Sequence, residues 1–213
     1  MSRRTPTYAQ SNRKNSGKDH SPTTAGRLSG YRAVLVVLCL VLGLPTAQSQ
    51  QPAGVSAYEV KAAFLFHFPN FVEWSTASLP DTAATLNIGI LGEDPFGTAF
   101  QAIEGKKVQD KKLVLKRSGD VGELLSCHIL FISSSEKKDI EEILARLENH
   151  DILTVGETEG FARKGVIINF FLEKKNVRFE INVDAAERSN LKLSSRLLRL
   201  AHIIREPKSE GQD

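Results

Sequence analysis

Residues 50–213 predict a single α/β domain: a mostly parallel sheet of about six strands with a C-terminal antiparallel hairpin, flanked by helices on both faces. Three observations carry this reading. Short apolar runs ended by turn residues alternate with segments of helical spacing, which is the pattern of strand–helix–strand units. The last two strand-like runs are separated only by Lys174, Lys175 and Asn176, too little for a parallel crossover, so they must pair as a hairpin. No internal repeat divides the chain.

The first element is "VKAAFLFHFPNFVEW", Val60 to Trp74, with five aromatic residues, Lys61 and Glu73 near its ends and Pro69 inside it. An apolar run of this length fits a membrane segment, a core helix or a binding surface, although about twenty apolar residues are needed to span a bilayer. "LNIGILG" (Leu86 to Gly92) is a strand ended by glycine. "EDPFGTAFQAIEG" then predicts a helix, with Asp94 as N-cap and Pro95 at the first helical position. "KLVLKR" (Lys112 to Arg117) and "HILFIS" (His128 to Ser133) are two further strands, with "GDVGELLS" a short helix between them. Ile140, Ile143, Leu144 and Leu147 recur at helical spacing and predict a helix over about Glu136 to Asn149, after which "ILTV" (Ile152 to Val155) returns as a strand. "VIINFFLE" and "VRFEINV" form the hairpin. In its second strand Val177, Phe179, Ile181 and Val183 face the core, and Arg178, Glu180 and Asn182 face the other way. "SSRLLRLAHIIRE" predicts a final helix that lays Leu197, Leu200, Ala201 and Ile204 on the sheet, and "PKSEGQD" is a polar tail.

The first 49 residues read differently. Residues 1–30 are polar and without apolar periodicity, as a disordered N-terminus is. Arg27 and Arg32 then precede twelve apolar residues, Ala33 to Leu44, followed by Pro45 and small residues. This is the layout of a secretory signal peptide, with cleavage expected after Ser49. Val36-Val37-Leu38 before Cys39 does not suit a lipoprotein signal, and Arg3-Arg4 lies too far upstream for a twin-arginine signal. Of the 28 Lys and Arg and 25 Asp and Glu, residues 1–49 hold seven basic and one acidic, which leaves 21 against 24 and a net charge of −3. That balance has no electrostatic footprint for nucleic acid. With Cys39 removed, Cys127 is alone and can form no internal disulfide.

Each motif with catalytic overtones has a simpler structural explanation. "GEDPFGTA" has the glycine spacing of a phosphate loop, but Thr98 and Ala99 stand where Lys and Ser/Thr are needed, and Glu93 and Asp94 would repel phosphate. Ser133 and Glu136 have capping-box spacing, and no G-x-S-x-G elbow surrounds them. A phosphoreceiver domain would need an acidic residue where Ser133 stands. His67, His128, His150 and His202 share no metal-ligand spacing. These residues predict neither enzyme activity nor a cofactor or metal. The strand ends at Gly92, Asp94, Ser133 and Gly156 remain candidates for small-ligand binding, because an open α/β sheet places its crevice there.

"YEVKAAFLFHFPNFVEW", "NIGILGEDPFG", "CHILFIS", "ILTVGETEGFARKGVIINF" and "VRFEINVDAAERSNLKLSSRLLRLA" occur in this order from Tyr58 to Ala201. Together they resemble the YfiR family of exported bacterial proteins. The resemblance implies a periplasmic α/β domain, often a homodimer, without enzymatic activity. Its best-known members repress a membrane-bound diguanylate cyclase by binding the cyclase's periplasmic part, which lowers cyclic di-GMP and restrains biofilm formation. Seen with the resemblance, the opening run is an N-terminal core helix with Val60, Phe64 and Phe71 near one face, Trp74 closing its end and Pro69 kinking or ending its first part. Relatives commonly read Tyr-Asn-Phe-Ala-Lys-Phe where this chain has Phe66, His67, Phe68, Pro69, Asn70, Phe71. They can also carry disulfides, which Cys127 alone cannot. Two function classes follow: a regulatory protein that binds the periplasmic part of an inner-membrane signalling protein, and a periplasmic small-ligand carrier or sensor. For the first, the aromatic helix and the last strand offer candidate partner-binding residues Phe66, Phe68, Arg178, Glu180 and Asn182.

Overall fold

The computed structural model describes residues 55–206; the expected disordered segment and signal peptide (1–49) and the polar tail from Pro207 lie outside the described residues. Helix α1 (Ala57–His67) opens with a reciprocal capping box. Ser56 Oγ accepts from the Glu59 N–H at 3.1 Å, and the Glu59 carboxylate accepts from the Ser56 N–H at 2.7 Å. Pro69 has no N–H to continue the ladder, so the chain tightens into a 3₁₀ turn over Phe68–Phe71 and leaves through strand β1 (Val72–Glu73). Ala62, Leu65 and Phe68 are buried, which makes this run part of the core.

The remaining elements are β2 (Thr85–Leu91), a 3₁₀ helix (Gly97–Ala102), β3 (Lys107–Val108), β4 (Lys111–Ser118), β5 (Ile129–Ile132), α2 (Ile140–Arg146), β6 (Leu153–Gly156), α3 (Phe161–Lys164), β7 (Ile168–Glu173), β8 (Asn176–Asn182), α4 (Val183–Arg188), β9 (Lys192–Leu193), α5 (Ser195–Leu198) and β10 (His202–Ile204). Eight strands form one sheet in the order β10-β8-β7-β6-β5-β2-β4-β3, and β1 and β9 make a separate two-stranded ribbon. Strands β4, β2, β5, β6 and β7 are parallel neighbours, β8 is antiparallel to β7, and β10 runs parallel to β8. The fold is therefore α/β with a mostly parallel sheet, as the sequence predicts. All four residues of β5 are buried, with Ile129 and Phe131 in one core and Leu130 and Ile132 in the other. A strand buried on both faces needs a cover on each. The first core includes residues of α1, the 97–102 turn and α4, and the second those of α2 and α3.

Five features differ from the sequence expectation. The main sheet has eight strands instead of about six, because β3 and β10 join it. The expected final helix stops at Leu198, and His202–Ile204 pairs along the edge of β8; Leu200, expected on the sheet, is 64% exposed. Helix α4 stands where Val183 was expected to end the last strand, since Asn182 turns its side chain back to accept from the Ala185 N–H at 2.8 Å. Asp94 caps no helix. Its Oδ1 accepts from the Phe96 N–H at 2.8 Å in a local turn, its Oδ2 binds Arg117, and the 3₁₀ helix starts only at Gly97. The helix expected from Glu136 to Asn149 is likewise shorter, a 3₁₀ turn over Ser134–Lys138 followed by α2.

Helix α1 is pinned by two contacts of opposite character. Phe64 and Phe68 lie over Phe170 of β7 and Phe179 of β8 with ring centroids 5.3–5.9 Å apart. Lys61 Nζ meets Glu157 just past β6 at 2.5 Å, their side chains 9% and 8% exposed. Removing one member of a buried pair strands the other charge without water. Lys61→Met should therefore lower unfolding free energy in urea by about 3–5 kcal/mol. The double variant Lys61→Met/Glu157→Gln should recover most of that loss, which a double-mutant cycle reads directly.

Candidate functional site

Strand β2 lies between β4 and β5, so the chain passes from β2 to β4 on one side and then to β5 on the other, which sets the switch point of the parallel sheet at the C-terminal ends of these strands. Three of the four expected ligand residues sit at strand ends here: Gly92 follows β2, Ser133 follows β5 and Gly156 ends β6. The space beside Gly92 is taken by the chain itself. Gly92 has φ +83°, and a Cβ there would lie 2.2 Å from Ser135 Oγ and 2.3 Å from Glu136 Oε1. Ser135 Oγ accepts from the Glu93 N–H at 3.1 Å and donates to Glu136 Oε1 at 2.6 Å. Ser133 is 2% exposed; its Oγ faces the Ser135 N–H and its N–H donates to the Leu91 carbonyl. A cavity of about 170 Å³ opens beside this plug, lined by the carboxylates of Glu136, Asp139 and Glu142 against the single cation of Arg146. That lining disfavours an anionic ligand.

At Gly156 the space is taken as well, by Phe161 and Asn169. Around it lies a polar cluster the sequence reading did not single out. Tyr58 OH donates to Glu157 Oε1 at 3.3 Å, and the Lys61 ammonium stands 4.4 Å from the centre of the Tyr58 ring. Burial, then the Glu157 charge, push the Tyr58 phenol above its ordinary pKa, so it remains a donor. Asn169, 1% exposed, donates from Nδ2 to the Thr158 carbonyl at 3.0 Å and to Glu180 Oε1 at 3.1 Å. One signal for this cluster was present in the sequence. Lys61 lies in an apolar helix with no acidic residue three or four positions away, so a buried Lys61 needs a partner from elsewhere in the chain.

The five partner-binding candidates do not share one surface. Phe66 is half-buried and lines a groove of about 290 Å³ with Ala62, Ala63 and His67 of α1 and Ala99 and Ile103 from the segment after β2. Phe68 is only 1% exposed: the turn at Pro69 swings its ring into the aromatic cluster, which corrects the expectation of a surface role. Asn182 is corrected in the same way. It is fully buried, caps α4, and donates to the Ala162 carbonyl at 2.7 Å and to Glu206 at 2.9 Å. Arg178 is exposed and pairs with Glu173 at 3.5 Å, while Glu180 is half-buried and tied to Asn169.

The opposite ends of the strands are fastened by Asp151. Its Oδ2 accepts from Ser75 and Ser78 at 2.7 and 2.5 Å and its Oδ1 from Asn190 at 3.1 Å, which ties three loops together. Beside it Cys127 is 3% exposed, its sulfur 3.0 Å from where a Cβ on Gly89 would stand. Burial pushes the Cys127 thiol up, and burial also holds His128 below the ordinary imidazole value.

The YfiR/HmsC-like family profile matches residues 58–202, more than half of the chain. The chain belongs to the YfiR/HmsC-like family. Membership brings a signalling and regulatory theme with it. No curated protein matches the chain. Among solved structures, a conserved domain protein from Vibrio cholerae O1 biovar El Tor aligns with a TM-score of 0.47 and 11% identity, over 71% of this chain. The alignment spans 60% of that solved chain. Among the described residues of this YfiR/HmsC-like chain, no helix is long and apolar enough to cross a membrane, and no group of three or more His, Cys, Asp and Glu side chains is arranged to hold a metal ion.

Two outcomes test the geometry. Gly92→Ala should lower the melting temperature, because alanine is strained at this φ and its methyl displaces Ser135 and Glu136. Adding Glu136→Ala should restore only the part due to the clash with Glu136, since Ser135 Oγ stays in place. For Asp151, burial raises the carboxyl pKa but the hydrogen bonds from Ser78, Ser75 and Asn190 together outweigh it and leave the group below its ordinary value. A depressed folded-state pKa contributes stability that is present above the unfolded value, about pH 4, and lost as pH falls through the folded one. Asp151→Asn should therefore cost about 1–3 kcal/mol at neutral pH. The gap to wild type in urea titrations should narrow below about pH 4.

Proposed function

We propose that this chain is a periplasmic regulatory binding protein that represses a membrane-bound diguanylate cyclase by occupying the cyclase's periplasmic part. The single observation that carries the reading is the YfiR/HmsC-like match over residues 58–202. The geometry supports a role exercised from an outer surface. The crevice where an open α/β sheet would take a small molecule holds Ser135 and Glu136 instead, which weighs against the carrier reading. The Phe66 groove is apolar at its floor and charged at its rim, with Glu59 and Lys106, which is the anatomy of a protein-binding patch. Export is part of the proposal, with cleavage after Ser49, and so is a homodimer as the working assembly.

Deleting the gene should raise cellular cyclic di-GMP, and restoring the wild-type gene should bring it back. Phe66→Asp should fail to restore it while keeping a wild-type circular dichroism spectrum and melting temperature. N-terminal sequencing of the exported protein should begin at Gln50. Unchanged cyclic di-GMP on deletion, together with tight binding of a metabolite to the purified protein, would replace this reading with the carrier.

A further inference from the structure

Three of the four large apolar side chains that stand exposed among the described residues belong to the β7–β8–β10 side of the sheet: Leu172 at 61%, Leu200 at 64% and Ile203 at 44%. The register places Leu172 and Leu200 toward the same end of that side, near the β7–β8 turn. Strand β7 last pairs with β6 where Gly156 faces Asn169, and then runs on from Phe170 to Glu173 as half of a projecting ribbon. Strand β10 lies parallel to β8 with His202 opposite Glu180, so Leu200, just before it, lies on the side toward the ribbon's turn. The Phe171 and His202 rings, 5.2 Å apart, join the ribbon to the edge strand.

The turn itself is unusual. Glu173 pairs with Asn176, which leaves a two-residue loop of Lys174 and Lys175 with φ 48° and 70°. Such loops are ordinarily Asn-Gly or Gly-rich, because both residues need left-handed backbone; lysine adopts it only against steric resistance. Both lysines are exposed, and the neighbouring Glu173 is engaged by Arg178. Lys174, Lys175, Arg178 and Arg199 outnumber Glu173 and Glu180 at this corner, although residues 50–213 carry a net charge of −3. The apolar groups are aliphatic and ride on a convex turn and a sheet edge. That shape suits entry into a soft interface, where cations meet phosphates and aliphatic side chains enter the acyl boundary.

We infer that the β7–β8 turn and the adjoining β10 edge form a docking element for an anionic phospholipid surface, with Leu172 and Leu200 entering the headgroup layer and Lys174 and Lys175 resting on its phosphates. This goes beyond the regulatory reading and does not depend on which protein is regulated. The test uses the protein as recovered from cells, its N-terminus sequenced first, sedimented with vesicles of phosphatidylcholine alone or mixed with phosphatidylglycerol. Wild type should sediment with the anionic vesicles and be released as salt screens the contact. Lys174→Asn/Lys175→Gly should melt higher than wild type, because the turn is relieved, and yet bind anionic vesicles about thirtyfold more weakly. Leu172→Ser should weaken binding while leaving the preference for anionic lipid. Wild type that ignores anionic vesicles overturns the inference, as does a double variant that binds them as tightly as wild type. Cross-linking of this corner to an acidic protein, with no lipid binding, would assign it to a protein partner and overturn the inference too.

Discussion

A β-ribbon that outruns the strand beside it must find support on its apolar face, and here that support is aromatic. Phe64 and Phe68 come from one end of the described chain and Phe170 and Phe179 from the hairpin, and all four rings lie within 6.5 Å of one another, centre to centre. Edge-to-face and offset contacts of this kind add about 0.5–1.5 kcal/mol per pair beyond simple burial. The direction of α1, the angle of the hairpin and the platform on which β10 lies all depend on this cluster. The Lys61–Glu157 pair fixes the axial position of the same helix, which packing between smooth rings would leave less defined. A buried ion pair contributes little net stability but is intolerant of displacement.

The parallel strands were legible because each is a short apolar run closed by turn residues, and the hairpin was legible because three intervening residues permit nothing else. The C-terminal segment was not. Leu197, Leu200, Ala201 and Ile204 have helical spacing, and that signal cannot reveal the open edge of β8, which a strand fills instead. Val183 likewise continued the alternation of β8, and only the inward turn of the Asn182 side chain converts it to the start of α4. Alternation predicted that Asn182 faces away from the apolar side, which is true, but α3 and Glu206 cover that side.

The candidate site shows the same division. Position was readable, since Gly92, Ser133 and Gly156 do fall at strand ends. Occupancy was not, because it depends on where Ser135 and Glu136 fold back. Lys61 and Glu157 lie 96 residues apart in sequence, and no local pattern joins them. In this α/β fold Ser135 and Glu136 occupy the space beside Gly92, while an apolar groove runs along helix α1 and exposed apolar and cationic side chains stand at the hairpin corner.

The seating of Cys127 against Gly89 has a chemical consequence. Reaction with oxidants or disulfides proceeds through the thiolate and needs an open approach to sulfur, and a buried thiol with a raised pKa offers little of either. In an oxidising compartment this sulfur would act as a small apolar group, slow to exchange and slow to climb toward sulfenic acid. Among the described residues the fold then rests on packing and polar contacts, and the redox poise of the surroundings has little hold on it.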